Sequence, residues 1–253
     1  MDIIEHRGEV AGIETFWRQA GHTPILYVHG NPNNSDLWVP FLERTGGVAM
    51  DLPGFGRSAK PAHFNYSIDG YGDWLGAFTR NLGWDRHRLL VHDWGSVGLT
   101  LGAQIDRLVV ANAVPFLPGY KWHRFARIWQ TPVLGELFQG ATTKWGLRRF
   151  LPGMSEDFIE SIWEHYDHGT QRAVLKLYRS APPEVLARAG ERLGEIDAPA
   201  LVVWGADDQY LPARFAHAYA EALGGQAEIV DAAGHWPWID KPEVVDRVCA
   251  FLS

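Results

Sequence analysis

The chain has 253 residues, of which 46% are hydrophobic and 13% aromatic, and its formal charge is −7 at pH 7. A chain of this composition folds around a large core, and the negative charge argues against a nucleic-acid partner. It has one cysteine, Cys249, and its sequence shows neither a signal peptide nor an apolar run long enough for a membrane. We therefore expect a cytoplasmic protein without a disulfide or a membrane contact.

Short apolar runs alternate with helical stretches along most of the chain. This alternation predicts an α/β fold with a mostly parallel central sheet that is flanked by helices. A short helix is expected from Ser96 to about Gln104. The other predicted elements are strands at 25–28, 47–50, 88–91, 108–113, 200–204 and 227–230, and helices at 67–82 and 242–252.

The alternation of strands and helices stops in residues 119–192, which we call the cap segment. This stretch contains four tryptophans and several arginines, and its pattern is typical of helices alone. It is too long for a single crossover between strands. The sequence therefore predicts a helical cap, or lid, inserted into a core domain formed by residues 1–118 and 193–253.

Polar residues follow several of the predicted strands, at the edge of the sheet where open α/β sheets bind ligands. One such segment, residues 91–96 (Val-His-Asp-Trp-Gly-Ser), has the form of a nucleophile elbow, a sharp turn from a strand into a helix. Its central residue is Asp93. A carboxylate is ionised at pH 7 and attacks a saturated or epoxide carbon without the help of a base. The alternative is that Asp93 only caps the following helix.

Four segments of the chain resemble the aspartate-nucleophile branch of the α/β-hydrolase superfamily, which contains haloalkane dehalogenases and epoxide hydrolases. They are residues 29–32 (His-Gly-Asn-Pro), 51–58 (Asp-Leu-Pro-Gly-Phe-Gly-Arg-Ser), 91–96 and 234–235 (Gly-His). The resemblance covers nearly the whole chain and is weak in the cap segment. It implies the α/β-hydrolase fold and a covalent ester on Asp93 that water then hydrolyses.

The resemblance also implies a base and an acid. His235 follows the last predicted strand, and in the family this histidine activates the water that attacks the ester. Such a histidine needs a carboxylate that orients it. The family pattern Gly-x-x-Asp indicates Asp208, whereas the neighbouring Asp207 is expected to be solvated or to cap a helix.

Asn31 and Trp94 are the expected binding groups for the leaving atom. Their backbone N–H groups would form an oxyanion hole. In many dehalogenases the side chains at these two positions donate hydrogen bonds to the departing halide. Alternatively, Asn31 is only a turn residue before Pro32. His29 is expected to support the loop rather than to react.

The choice between the two activities rests on a few positions. Asn31, Val91 and Ser96 favour a haloalkane dehalogenase. Tyr178, near the end of the cap segment, favours an epoxide hydrolase, because lid tyrosines donate a proton to the opened ring. A pair of tyrosines is expected in that case, and Tyr120 and Tyr166 are weak candidates for the second.

Dehalogenase is the preferred prediction, with epoxide hydrolase or an aspartate-nucleophile hydrolase of another substrate as alternatives. A binding module without activity is disfavoured by the intact set of Asp93, Asp208 and His235. No spacing of histidines and carboxylates indicates a metal, and no glycine-rich loop indicates a nucleotide cofactor. The expected partners are a small apolar organic substrate and water.

Overall fold

The computed structural model describes all residues from 1 to 253. Eight strands form a single sheet in the order β1-β2-β4-β3-β5-β6-β7-β8. From β3 to β8 all neighbouring strands are parallel, as are β3 and β4. The strands are β1 (Ile3–Val10), β2 (Ile13–Ala20), β3 (Ile25–Val28), β4 (Gly47–Met50), β5 (His87–Asp93), β6 (Ile105–Ala113), β7 (Ala200–Gly205) and β8 (Gln226–Val230).

The predicted mostly parallel α/β fold is confirmed, and all six predicted strands are present. The first two strands were not predicted from the sequence. They form an antiparallel hairpin, and β2 also pairs antiparallel with β4. β1 lies at the edge of the sheet, and most of its side chains are exposed or half-buried. By contrast, β3 and β4 are buried throughout, which is typical of central strands with helices on both faces.

Helices cover both faces of the sheet. Six of them, α3 to α8, lie between β6 and β7 within the cap segment, whose status as a separate domain stays a prediction. The helices are α1 (Val39–Thr45), α2 (Ile68–Asn81), α3 (Arg124–Gln130), α4 (Leu134–Gly140), α5 (Lys144–Phe150), α6 (Glu156–Glu164), α7 (His168–Ser180), α8 (Pro183–Gly190), α9 (Arg214–Ala222), α10 (Pro237–Asp240) and α11 (Glu243–Leu252).

The helix that was expected after the elbow takes another form. Residues Trp94–Gln104 form a 3₁₀ stretch that is interrupted at Gly102, where φ is +53°. Its side chains are buried almost throughout, between β5, β6 and α2. The short, tight segment fits the scarcity of residues between the elbow and β6.

The core has two parts, one on each face of the sheet. The larger contains 49 buried residues and extends into the cap segment, and the smaller contains 25 and includes Cys249. Cys249 is a buried free thiol, in keeping with its place in the apolar pattern of α11. None of the helices combines the length and the apolar character that a membrane crossing requires.

Candidate active site

Asp93 stands at the sharp turn that follows β5. Its backbone has φ +53° and ψ −125°, a conformation that side-chain-bearing residues rarely adopt and that is typical of functional strain. The turn closes because its neighbours are glycines: a side chain at Gly95 would collide with the carbonyl of Val28, and one at Gly30 with the Asp93 carboxylate. The predicted elbow is therefore present, and it holds Asp93 against residues 29–31.

Three residues that are far apart in the chain meet at the carboxyl ends of β5, β7 and β8. Nδ1 of His235 lies 2.8 Å from Oδ2 of Asp208, and Nε2 lies 3.6 Å from Oδ2 of Asp93. The His235 side chain is 4% exposed and that of Asp208 is fully buried. The structure thus brings the three side chains together, with His235 between Asp93 and Asp208.

The two carboxylates control the charge of His235. Burial opposes the charged imidazolium, but the charge and hydrogen bond of Asp208, together with Asp93, outweigh it and raise the pKa of His235 to about 9. The pKa of Asp208 is lowered: burial would raise it, and His235 and Asn112 outweigh that effect. The resting site therefore holds an imidazolium between two carboxylates at neutral pH.

Asp208 has hydrogen-bond partners in addition to His235. Its Oδ1 accepts hydrogen bonds from the backbone N–H groups of Tyr210, at 2.7 Å, and Leu211, at 2.9 Å. Its Oδ2 accepts one from Nδ2 of Asn112 at 2.6 Å. Asp207 is exposed and makes no side-chain hydrogen bond in this network. The geometry therefore favours Asp208 over Asp207 as the partner of the histidine.

Asn112 was not singled out from the sequence. It is fully buried at the end of β6, has a positive φ of 38°, and its Oδ1 accepts a hydrogen bond from the Gly205 N–H at 3.1 Å. Its amide thereby links β6, β7 and the Asp208 carboxylate. The signal that could have identified Asn112 is a polar residue at the end of a predicted parallel strand, because a buried polar side chain needs hydrogen-bond partners.

Asn31 and Trp94 flank the Asp93 carboxylate. The Asn31 backbone N–H donates to Oδ1 of Asp93 at 2.8 Å. The indole Nε1 of Trp94 is buried and has no hydrogen-bond partner, and Oδ1 of Asn31 is likewise unpaired. Buried polar atoms are normally paired, so unpaired ones beside a reactive carboxylate are expected at a ligand site.

Tyr178 lies directly against this pair. Its ring meets that of Trp94 edge to face, with 5.2 Å between centroids. Burial raises the pKa of Tyr178 well above its usual value, the Asp93 charge adds to the rise, and the nearby Asn31 and Trp94 side chains oppose it. The hydroxyl therefore keeps its proton at neutral pH, close to both Asn31 and Trp94.

A cavity opens above Asp93, and about 60 Å³ of it is accessible to the centre of a water-sized sphere. Its floor contains Asn31, Asp93 and His235, and its walls are mostly aromatic residues. Tyr120 is buried elsewhere and does not line it. The wall residues are Pro32, His123, Trp129, Phe138, Thr142, Leu147, Phe150, Leu151, Tyr166, Tyr178, Tyr210 and Trp236.

Two further histidines brace the site without lining the cavity. Nε2 of His29 accepts a hydrogen bond from the Leu52 N–H at 3.0 Å, as expected for a loop-supporting residue. His92 is fully buried, and its Nε2 lies 2.9 Å from the carbonyl oxygen of His235. Because a carbonyl only accepts, Nε2 of His92 carries the proton and ties the elbow to the His235 loop.

The arrangement lacks the features of a metal centre. No group of three or more histidine, cysteine or carboxylate side chains is placed to hold a metal ion. What it offers chemically is a carboxylate in a strained turn, a histidine paired with a second carboxylate, and unpaired donors beside an aromatic cavity. This is the class of site that performs nucleophilic hydrolysis on an α/β sheet.

Comparisons with known proteins agree with this class. Residues 23–242 match the family model described as alpha/beta hydrolase fold. A haloalkane dehalogenase of Mycolicibacterium paratuberculosis is 31% identical over an alignment of 261 positions, which covers 90% of this chain and 83% of that protein. The chain therefore belongs to the α/β-hydrolase family, and it is a hydrolase similar in sequence to haloalkane dehalogenases.

Solved structures with two different activities share the fold. Haloalkane dehalogenase DbeA from Bradyrhizobium elkanii superimposes with a TM-score of 0.84 at 24% identity, covering 99% of this chain and 98% of that one. Epoxide hydrolase CorEH gives a TM-score of 0.84 at 21% identity, with coverages of 99% and 98%. Equal similarity to both means that the overall fold does not discriminate between the two reactions.

Proposed function

We propose that this enzyme hydrolyses the carbon–halogen bond of small organic halides through a covalent ester on Asp93. The observation that carries the proposal is the unpaired, buried Nε1–H of Trp94 beside Asp93, with the Asn31 side chain next to it. A halide leaves carbon as a weakly basic anion that protonation does not stabilise. It therefore needs hydrogen-bond donors at the place where it leaves. Two such donors flank the nucleophile here.

In the first step, a carboxylate oxygen of Asp93 forms a bond to the halogen-bearing carbon, and the carbon–halogen electron pair leaves with the halide. Oδ1 is already bound by the Asn31 N–H at 2.8 Å, which leaves Oδ2 as the attacking atom. Asn31 and Trp94 hold the departing halide through their side-chain N–H groups. The product of this step is an alkyl ester of Asp93.

In the second step, His235 removes a proton from water, and the water oxygen attacks the ester carbon of Asp93. Nε2 faces Asp93 while Nδ1 is held by Asp208, so one ring nitrogen is free to act as the base. The backbone N–H groups of Asn31 and Trp94 together stabilise the negative oxygen of the tetrahedral intermediate. The bond between the ester carbon and the alkyl oxygen then breaks, and His235 gives its proton to the leaving alkoxide to form the alcohol. The proton that remains on the Asp93 carboxyl group passes to solvent, which restores the carboxylate.

Epoxide hydrolysis is the second candidate, and one observation favours it. The Tyr178 hydroxyl lies within hydrogen-bonding reach of the Asn31 and Trp94 side chains, and it keeps its proton. A tyrosine so placed would donate to the alkoxide formed when Asp93 opens an epoxide. The ester and its hydrolysis by His235 would be the same in both reactions.

A side-by-side product assay tests the proposal. Wild-type enzyme and Asp93→Ala are incubated with a panel of bromoalkanes and a panel of epoxides, and bromide, alcohol and diol are measured. The proposal predicts bromide and alcohol in equal amounts from wild type only. Diol formation without bromide release would instead assign epoxide hydrolysis, and activity retained by a folded Asp93→Ala variant would remove Asp93 from the nucleophile role.

A further inference from the structure

The polar side chains in the cavity wall differ in whether their hydrogen atoms already form hydrogen bonds within the protein. The Tyr210 hydroxyl donates to the Phe150 carbonyl at 2.9 Å, and the Tyr166 hydroxyl donates to Oε1 of Gln139 at 2.5 Å. Thr142 donates to the Phe138 carbonyl of α4. These groups therefore present mainly carbon atoms to a substrate. The indole N–H groups of Trp129 and Trp236, which also line the cavity, are buried without a protein acceptor, and Nε2 of His123 likewise makes no hydrogen bond within the protein.

The helix that begins the cap segment fixes the tautomer of His123. His123 is the N-cap residue of α3, and its Nδ1 accepts a hydrogen bond from the Ala126 N–H at 3.3 Å. A backbone N–H only donates, so Nδ1 carries a lone pair and the ring hydrogen sits on Nε2. Burial lowers the pKa of His123 to about 4, although the Asp93 charge opposes the shift, so the ring is neutral at pH 7.

The His123 ring stands on the side of the cavity that faces the base. Its centroid is 5.4 Å from that of Tyr210, whose own ring is 5.2 Å from His235. It also meets Trp129 edge to face at 6.1 Å. Nε2 makes no hydrogen bond within the protein, and the ring lines the cavity. The ring therefore places a neutral N–H donor in the lining of the cavity, among aromatic neighbours.

We propose that His123 is a specificity-determining residue whose Nε2–H selects substrates that carry an oxygen acceptor near the reacting carbon, such as an ether, hydroxyl or carbonyl oxygen. A small apolar organic substrate was expected from the sequence, and a substrate that also carries an oxygen acceptor departs from that expectation. The inference rests on the proposed function only for the identity of the reacting group. An epoxide that carries a second oxygen atom would meet the same donor.

The size of the preference follows from the cost of an unpaired donor. A fully apolar substrate that fills the cavity strips water from Nε2–H and returns no acceptor, whereas an oxygen atom at that place restores the bond. Sites that hydrogen-bond one substrate atom discriminate against analogues that lack it, and one neutral bond gives a preference of about tenfold to a hundredfold in kcat/KM.

Matched substrates measure this preference directly. The kcat/KM of bromopentane is compared with those of its analogues in which one methylene is replaced by oxygen, and an epoxyalkane is compared with its glycidyl ether in parallel. We expect one oxygen position to be preferred by about tenfold or more in wild type. In His123→Phe and His123→Asp the ratio should fall to near one, while His168→Asp, at an exposed histidine of the cap segment, should keep it.

The two His123 variants separate the donor from the helix cap. Aspartate is a good N-cap residue and its carboxylate has no N–H, so His123→Asp keeps the cap of α3 and removes the donor, whereas His123→Phe keeps a ring and loses both. A preference lost in Phe and kept in Asp would mean that the helix start, not the donor, sets specificity, and would overturn the inference. So would a wild-type enzyme with no oxygen preference at any position.

A binding measurement keeps the test independent of turnover. Nitrogen-15 spectra of the wild-type imidazoles are recorded with diethyl ether or with pentane, and the His123 signals are assigned by their loss in His123→Phe. We expect the neutral Nε2–H tautomer at pH 7, and a shift of its resonance with the ether alone. A charged ring, the opposite tautomer, or equal spectra with both probes would overturn the inference, whichever reaction the enzyme performs.

Discussion

Nε2 of His235 lies 3.6 Å from Oδ2 of Asp93, longer than an ordinary hydrogen bond, while the other ring nitrogen is held firmly by Asp208. The histidine is thus anchored on one side and only electrostatically coupled to the nucleophile on the other. In the proposed mechanism this spacing matters, because the base must act on a water that approaches the Asp93 ester rather than on Asp93 itself.

Esterification should change the pKa of the base. Two carboxylates raise the pKa of His235 to about 9 against the effect of burial. Alkylation neutralises Asp93, so one of the two stabilising charges disappears and the pKa of His235 should fall. Neutral histidine, the form that accepts a proton, is therefore produced when the second step needs it.

Rapid-quench kinetics across pH check this expectation. The rate of ester hydrolysis should rise with pH to a plateau, with a midpoint below the pKa of about 9 in the free enzyme. The free-enzyme value is measured separately by NMR titration of His235. A hydrolysis midpoint equal to or above the free-enzyme value would contradict the electrostatic coupling between the two residues.

The two neighbouring aspartates should respond differently to substitution. Asp208→Asn removes the charge that holds the His235 tautomer, and we expect a loss of about 10⁴-fold in kcat, as for the acids of other triads. Asp207→Asn is the matched control, since that side chain is exposed, and should stay close to wild type. Steady-state kinetics that gave the opposite order would transfer the assignment to Asp207.

Asn112 should support catalysis through Asp208. Asn112→Ala removes the donor to Oδ2 and leaves the Gly205 N–H unpaired, so we expect a loss of about 1–3 kcal/mol in stability and a lower kcat. Asn112→Gly is the comparison, because glycine tolerates the positive φ of 38° while it also lacks the amide. Thermal unfolding should differ between the two variants, whereas their loss of kcat should be similar; wild-type activity in Asn112→Gly would refute the supporting role.

Removal of the Asn31 amide should discriminate between leaving groups. One hydrogen bond to developing charge is typically worth about 10²–10³ in rate, so Asn31→Ala should slow bromide release by that factor. Its backbone N–H to Asp93 is retained, which preserves the oxyanion contact. Epoxide opening should suffer less, because Tyr178 would supply the proton there. Equal, small effects on both substrates would make Asn31 a turn residue only.

The sequence predicted those parts of the molecule that local pattern determines. The parallel strands carry continuous apolar runs, and the elbow and the Gly-His pair follow strands, so the positions of Asp93 and His235 at one edge of the sheet were predictable. The structure also brings Asn31, Trp94 and Asp208 to that edge. Their catalytic roles remain proposals.

What the sequence did not predict depends on contacts between distant segments. The hairpin β1–β2 was missed because charged residues interrupt both strands, which weakens the apolar alternation of a strand; they are Glu5, Arg7 and Glu9 in β1, and Glu14 and Arg18 in β2. Asn112 and Tyr210 approach the site only when β6 and β7 pair. His123 faces the cavity because α3 packs on α4 and α7, and no local pattern encodes that packing.

The central claim is that a covalent ester forms on Asp93 and that His235 hydrolyses it. Removal of the base should therefore trap the ester, since the first step needs only the carboxylate. His235→Phe is incubated at length with a high concentration of a bromoalkane, and intact-protein mass and released bromide are measured, with Asp93→Ala as the control. We expect one alkyl group per protein, mapped by peptide analysis to Asp93, with an equal amount of bromide and no further turnover. Absence of any adduct, from bromoalkanes that the wild-type enzyme converts, would contradict the covalent mechanism.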